Sequence, residues 1–107
     1  MIYILTLKYI RPPEEVRAHI DTHRHWLAQH IQAGRILAAG PLEDRSGGLV
    51  IATCSNRAEL DGMIAEDTFV VHQVAEVSVQ SFEPTIRAPA LPQQWAMSAA
   101  VVAAPAL

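Results

Sequence analysis

The alternation of apolar and polar positions divides the chain into four extended segments and two helical ones. From Met1 to Tyr9 both alternating sets are mostly apolar: Tyr3, Leu5 and Leu7 on one, Ile2 and Ile4 on the other. Such a strand is buried on both faces, as at the centre of a sheet. Pro12-Pro13 followed by Glu14-Glu15 opens a helix, because proline is tolerated in the first turn and acids suit the positive end of the helix dipole. The spacing predicts one helix to about Ala33, with Gly34 as its C-terminal cap. At about 100° per residue, Val16, Ile20, Leu27 and Ile31 form its apolar stripe. Arg35 to Ala39 is a short second strand ended by Gly40-Pro41. Leu42 to Gly47 is a polar turn, and Gly48 to Cys54 completes a hairpin as the third strand. Asn56, with Glu59 three residues on, caps a second helix over Arg57 to Ala65 that turns Leu60, Met63 and Ile64 inward. Glu66 to Phe69 leaves that helix. Ala75 to Phe82 is the fourth strand, with Ala75, Val77 and Val79 on one face.

The order βαββαβ is that of the α+β, ferredoxin-like sandwich. Right-handed crossovers place both helices on one sheet face and leave the other open. Strand one is apolar on that side as well, so the expected solution is a homodimer packed sheet to sheet. From Glu83 the composition changes. Pro84, Pro89, Pro92 and Pro105 punctuate an Ala/Val-rich tail anchored by Trp95. The expected division is therefore a folded domain over residues 1–83 and an extension over 84–107, with Ser98 to Ala104 either a short helix lying over the partner subunit or part of a disordered tail.

Composition narrows the function classes. A net charge of −3 without a basic patch argues against nucleic acid. No apolar run approaches the ~20 residues that span a bilayer. Residues 1–10 have the pattern of a strand, not of a secretory signal. A single cysteine, Cys54, excludes an internal disulfide framework and fits a reducing cytoplasm. It ends an apolar run, which points to packing and not to nucleophilic chemistry.

The chemistry concentrates on the first helix, where four of the five histidines fall within twelve residues. His19, His23, Trp26 and His30 lie at i, i+4, i+7 and i+11, a line flanking the apolar stripe; His25 falls on the polar face. A histidine serves as a general base when a carboxylate orients its second nitrogen. Asp21 is on the wrong helix face, Glu43 and Asp44 lie in the hairpin loop, and Asp67 follows the second helix beside Phe69. Spacing alone does not place any of them against a histidine. Each also has a structural role open to it: a half-buried satisfied histidine, a packed Trp26, a turn-capping Asp67, a solvated His19 or His30. His19 and His23, with His30 or His72, have zinc-ligand spacing, but H-E-x-x-H and a cysteine cluster are both absent. Gly47-Gly48 is a hairpin turn with no helix after it, so no phosphate loop is indicated, and no G-x-S-x-G occurs.

Three segments taken in order resemble the YCII superfamily of small α+β proteins. His23 stands eleven residues before Gly34; Arg35-Ile-Leu-Ala-Ala-Gly40-Pro41 is similar to the family's G-R-L-L-x-A-G-P; and Asp67-x-Phe69 is similar to its D-P-F/Y, before a strand ending at Phe82. The resemblance covers roughly residues 1–83. It implies a dimeric α/β barrel and a His–Asp dyad at His23 and Asp67. Two positions depart from the pattern: Ile20 where arginine is common, and Thr68 where proline follows the aspartate. The resemblance further implies a lyase without metal or redox cofactor, eliminating HCl from a chlorinated hydroxyhydroquinone. In that case Trp26, Tyr3, Leu5 and Phe69 would supply the ring slot, and Gly40-Pro41, Arg17 or His19 the contacts to ring oxygens. The alternatives it leaves are a muconolactone-isomerase-like enzyme and a non-catalytic small-molecule-binding domain.

Overall fold

The computed structural model describes residues 1–103. In chain order the elements are β1 (Ile2–Tyr9), α1 (Pro13–Arg17), α2 (Ile20–Gln32), β2 (Ile36–Pro41), β3 (Gly47–Ala52), α3 (Arg57–Ala65), α4 (Thr68–Val71) and β4 (Ala75–Phe82). A two-residue strand β5 (Ile86–Arg87), a 3-10 turn (Gln93–Trp95) and β6 (Ala100–Val101) follow. The main sheet has the order β2-β3-β1-β4, with β1 antiparallel to both β3 and β4. This is the ferredoxin-like α+β arrangement expected from the pattern. The doubly apolar strand β1 lies in its interior.

Tyr3, Leu5 and Leu7 of β1 meet Val50 and Ala52 of β3, Leu60 and Met63 of α3, and Trp26 and Phe69 in one core. Ile4 and Ile51, paired across β1 and β3, face away from the helices and remain half-buried. The caps follow the sequence. Asn56 Oδ1 accepts from the Glu59 amide at 2.8 Å, and Gly34 takes φ +79 after α2.

Four expectations are corrected. The first helix is two helices, interrupted at Ala18 and His19, where His19 leaves helical geometry at φ −116, ψ 8. The inward face of α2 is also different. Trp26 and His30 are buried, Ile20 and Leu27 are half-buried, and Ile31 is 47% exposed. Rolling the helix this way buries the largest side chain and gives its indole N–H the Met63 carbonyl at 3.0 Å. Burial with a satisfied donor outweighs an aliphatic stripe of smaller residues. Gly40-Pro41 does not break the second strand: β2 runs through Pro41, which sits at an edge where the missing amide costs no ladder bond. Finally, the tail forms no helix over Ser98 to Val101. It makes the 3-10 turn that buries Trp95, and β6 pairs in parallel with β5. Ala104 and the residues after it lie outside the described part.

Candidate active site

Three elements converge on His23. Helix α2 carries the imidazole, 12% exposed in its side chain. The junction of α3 and α4 carries Asp67, 1% exposed, with Nδ1 of His23 2.7 Å from Oδ1. Asp67 is held in turn because it caps α4: the same Oδ1 accepts from the Phe69 amide at 3.1 Å. Oδ2 is buried with no partner among the described residues. The Phe69 ring lies flat on the imidazole, centroids 3.9 Å apart and planes within 7°, and Trp26 flanks it at 5.7 Å. An ionised carboxylate only accepts, so Nδ1 carries the hydrogen. Nε2 is then the basic nitrogen of His23.

Thr68 stands where proline would otherwise follow the aspartate. Its hydroxyl meets Thr22 Oγ1 at 2.9 Å and the His19 carbonyl at 3.4 Å, tying α4 to α2 beside the dyad.

His23 and Phe69 form part of the wall of a cavity of about 410 Å³ between α2, the sheet and the β2–β3 hairpin. Leu7, Leu27 and Val50 make its apolar lining, and Gly40 and Pro41 also line it. Its volume is within the roughly 300–1,000 Å³ usual for small-molecule sites. Arg24, Arg45 and Tyr9 also line it. None of these three stood out in the sequence. Arg24 adjoins His23 but is, like Arg17 and Arg57, an exposed helix arginine, and Arg45 enters only because the hairpin folds over the site.

The remaining candidates lie elsewhere. Tyr3 and Leu5 are core residues behind the cavity. Trp26 backs His23 and borders a separate outer cleft with Asp21 and His25. His19 stacks on His72 at 4.1 Å, and Arg17 is exposed beside Glu14. His30 is not solvated: it is buried, accepts on Nδ1 from Arg35 Nε at 2.9 Å, and approaches Glu66 through Nε2. Among the described residues, no three His, Cys, Asp or Glu side chains are gathered as a metal site. None of their helices is long and apolar enough to cross a membrane.

Comparison with solved structures places the fold. The 5-chloro-2-hydroxyhydroquinone dehydrochlorinase (TftG) of Burkholderia phenoliruptrix AC1100, solved in complex with 2,5-dihydroxybenzoquinone, aligns with a TM-score of 0.59 at 18% identity. The alignment covers 78% of this chain and 95% of that one. An antibiotic biosynthesis monooxygenase aligns with a TM-score of 0.54 at 19% identity, over 78% of this chain and 100% of the other. A search of curated protein sequences finds no match. At these identities the neighbours establish a shared fold. The sequence profile of the YCII-related domain matches residues 1–83, the span that contains the whole main sheet and both halves of the His23–Asp67 contact. The chain therefore belongs to the YCII-related family.

Proposed function

We propose that the protein is a cofactor-free lyase that eliminates HCl from a chlorinated hydroxyhydroquinone to give a hydroxybenzoquinone. His23 is the general base and Asp67 orients it. The observation that carries this reading is the 2.7 Å contact between Nδ1 of His23 and a buried carboxylate, on a ring that borders the cavity. Asp67 sets the tautomer and stabilises the imidazolium formed on proton transfer.

The reaction balances without an external oxidant, because the C–Cl bond is the electron acceptor. In the keto tautomer the chlorine-bearing carbon is protonated and tetrahedral. Nε2 of His23 takes the proton of a ring hydroxyl, that oxygen becomes a carbonyl, and the displaced pair moves through the ring as chloride leaves with the bonding electrons. Chloride and the imidazolium proton together are the HCl lost. Phe69, Leu27 and Val50 supply an apolar slot, and Gly40-Pro41 supplies backbone polar groups at its rim. Trp26 acts from behind by holding the imidazole. The 2,5-dihydroxybenzoquinone bound to the dehydrochlorinase of similar fold is the kind of planar ring this slot accepts. A homodimer across the open sheet face completes the reading, since Ile4 and Ile51 are only half-buried within one chain.

The test is chloride release from 5-chloro-2-hydroxyhydroquinone under anaerobic conditions, without added metal or redox cofactor. Stoichiometric chloride and quinone are expected. Thermal stabilisation by the quinone without turnover would instead identify a binding domain.

A further inference from the structure

Among the described residues, none in the cavity wall carries a carboxylate. Its ionisable groups are His23, Tyr9 and two arginines, Arg24 and Arg45. In a chain of net charge −3, a cavity whose fixed charges are all positive runs against the average of the molecule. The other arginines are engaged: Arg11, Arg17 and Arg57 lie beside Glu15, Glu14 and Asp61, Arg35 donates to His30, and Arg87 to the Leu91 carbonyl. Among the described residues, Arg24 and Arg45 make neither an ion pair nor a side-chain hydrogen bond.

Their positions are independent. Arg24 follows His23 on α2. Arg45 sits in the β2–β3 turn at φ +64, a left-handed conformation in which glycine or asparagine is ordinary. The turn is closed without its side chain. The Arg45 amide donates to the Leu42 carbonyl, the Leu42 amide donates to the Gly47 carbonyl, and Asp44 Oδ1 accepts from Ser46. The strained backbone gains nothing for the hairpin from an arginine, but it brings a guanidinium to the cavity wall.

We propose that Arg24 and Arg45 form an anion-holding wall, so that the substrate is a planar ring bound as an anion, its ionised oxygen on the guanidinium groups and a second hydroxyl at His23. Guanidinium donors favour the ionised oxygen, and they hold the negative charge that grows on the ring as His23 removes the next proton. The inference rests on the elimination reading for the kind of ring, but not for the charge.

The probe is 2,5-dihydroxybenzoquinone, a vinylogous diacid ionised at neutral pH, compared with its uncharged ether 2,5-dimethoxybenzoquinone by titration calorimetry. The dianion is expected to bind more tightly, and Arg24→Met and Arg45→Met each to lose about tenfold in its affinity. Arg24→Lys retains part of that affinity. Arg45→Gly relieves the positive φ, so it folds at least as well as the parent chain and still loses the anion. Raising salt roughly tenfold weakens the parent protein's binding and leaves that of an Arg24→Met/Arg45→Met double variant unchanged. Affinity for the ether stays the same throughout. A dianion that binds no better than the ether, or arginine variants with unchanged affinity, overturns the inference. Chloride release is scored separately. Arginine-dependent binding without chloride release supports the anion wall and removes the elimination. Chloride release indifferent to both arginines overturns the wall and leaves the elimination standing.

Discussion

His23 and His30 sit about two turns apart on the same face of α2, and opposite tautomers separate their roles. Asp67 accepts at Nδ1 of His23, so that ring keeps a basic Nε2 beside the cavity. Arg35 donates to Nδ1 of His30, so that ring's proton is on Nε2, turned toward Glu66 and buried away from the cavity. Residue type and helical spacing are the same for both; only the partner differs, and partners come from segments distant in the chain. That is why the line of histidines was legible in the sequence while the sorting of its members was not. Asp67 is one of several carboxylates the sequence offers, and the family pattern, not periodicity, singles it out. Cys54 shows the same dependence on surroundings. Burial pushes its thiol up to about 11, with the Glu59 carboxylate adding to the shift and Arg35 opposing it. The thiolate is the reactive form, so at pH 8 alkylation by iodoacetamide should run about a hundredfold slower than for an unperturbed cysteine. The rate should climb with each pH unit toward 11. A rate at pH 8 matching that of free cysteine would contradict the buried environment.

At the scale of elements, the hairpin matters most to the site. It carries Gly40, Pro41 and Arg45 to the cavity, and Gly47 lets it lie against β1: a Cβ at Gly47 would sit 1.7 Å from the Leu7 carbonyl oxygen. Gly47→Ala is expected to destabilise the protein by about 3 kcal/mol, the upper end for overpacking. Gly62, inside α3 with open space around it, should behave oppositely. Gly62→Ala should gain about 0.5–1 kcal/mol through helix propensity. Urea denaturation of both variants checks the contrast, and equal effects would contradict it. The elements themselves were readable because their signals are local: Asn56 with Glu59, the proline pair that opens α1, and the alternation in β4. The roll of α2 was not, because it depends on Trp26 finding a carbonyl on α3, a contact of 37 residues' separation. The tail departs from a helix for a related reason. Alanine-rich composition favours helix locally, while the pairing of Ile86-Arg87 with Ala100-Val101 overrides it.

For the whole molecule, the ferredoxin-like sheet covers one face with helices and leaves Ile4 and Ile51 on the other. The homodimer proposed above should give a light-scattering mass of two chains, and Ile51→Lys should halve it. A monomeric parent protein at micromolar concentration would contradict that assembly. The central claim, that a His23–Asp67 dyad performs the elimination, is tested with variants that respect the buried carboxylate. His23→Ala strands Asp67 without its partner and risks the fold, whereas His23→Gln keeps a donor near it, and Asp67→Asn keeps the α4 cap. The decisive measurement is the initial rate of chloride release from 5-chloro-2-hydroxyhydroquinone by the parent protein, His23→Gln and Asp67→Asn, each confirmed folded by its thermal transition. The account expects kcat to fall by about 10²–10⁴-fold in both variants, and folded variants that release chloride at the parent rate would contradict it.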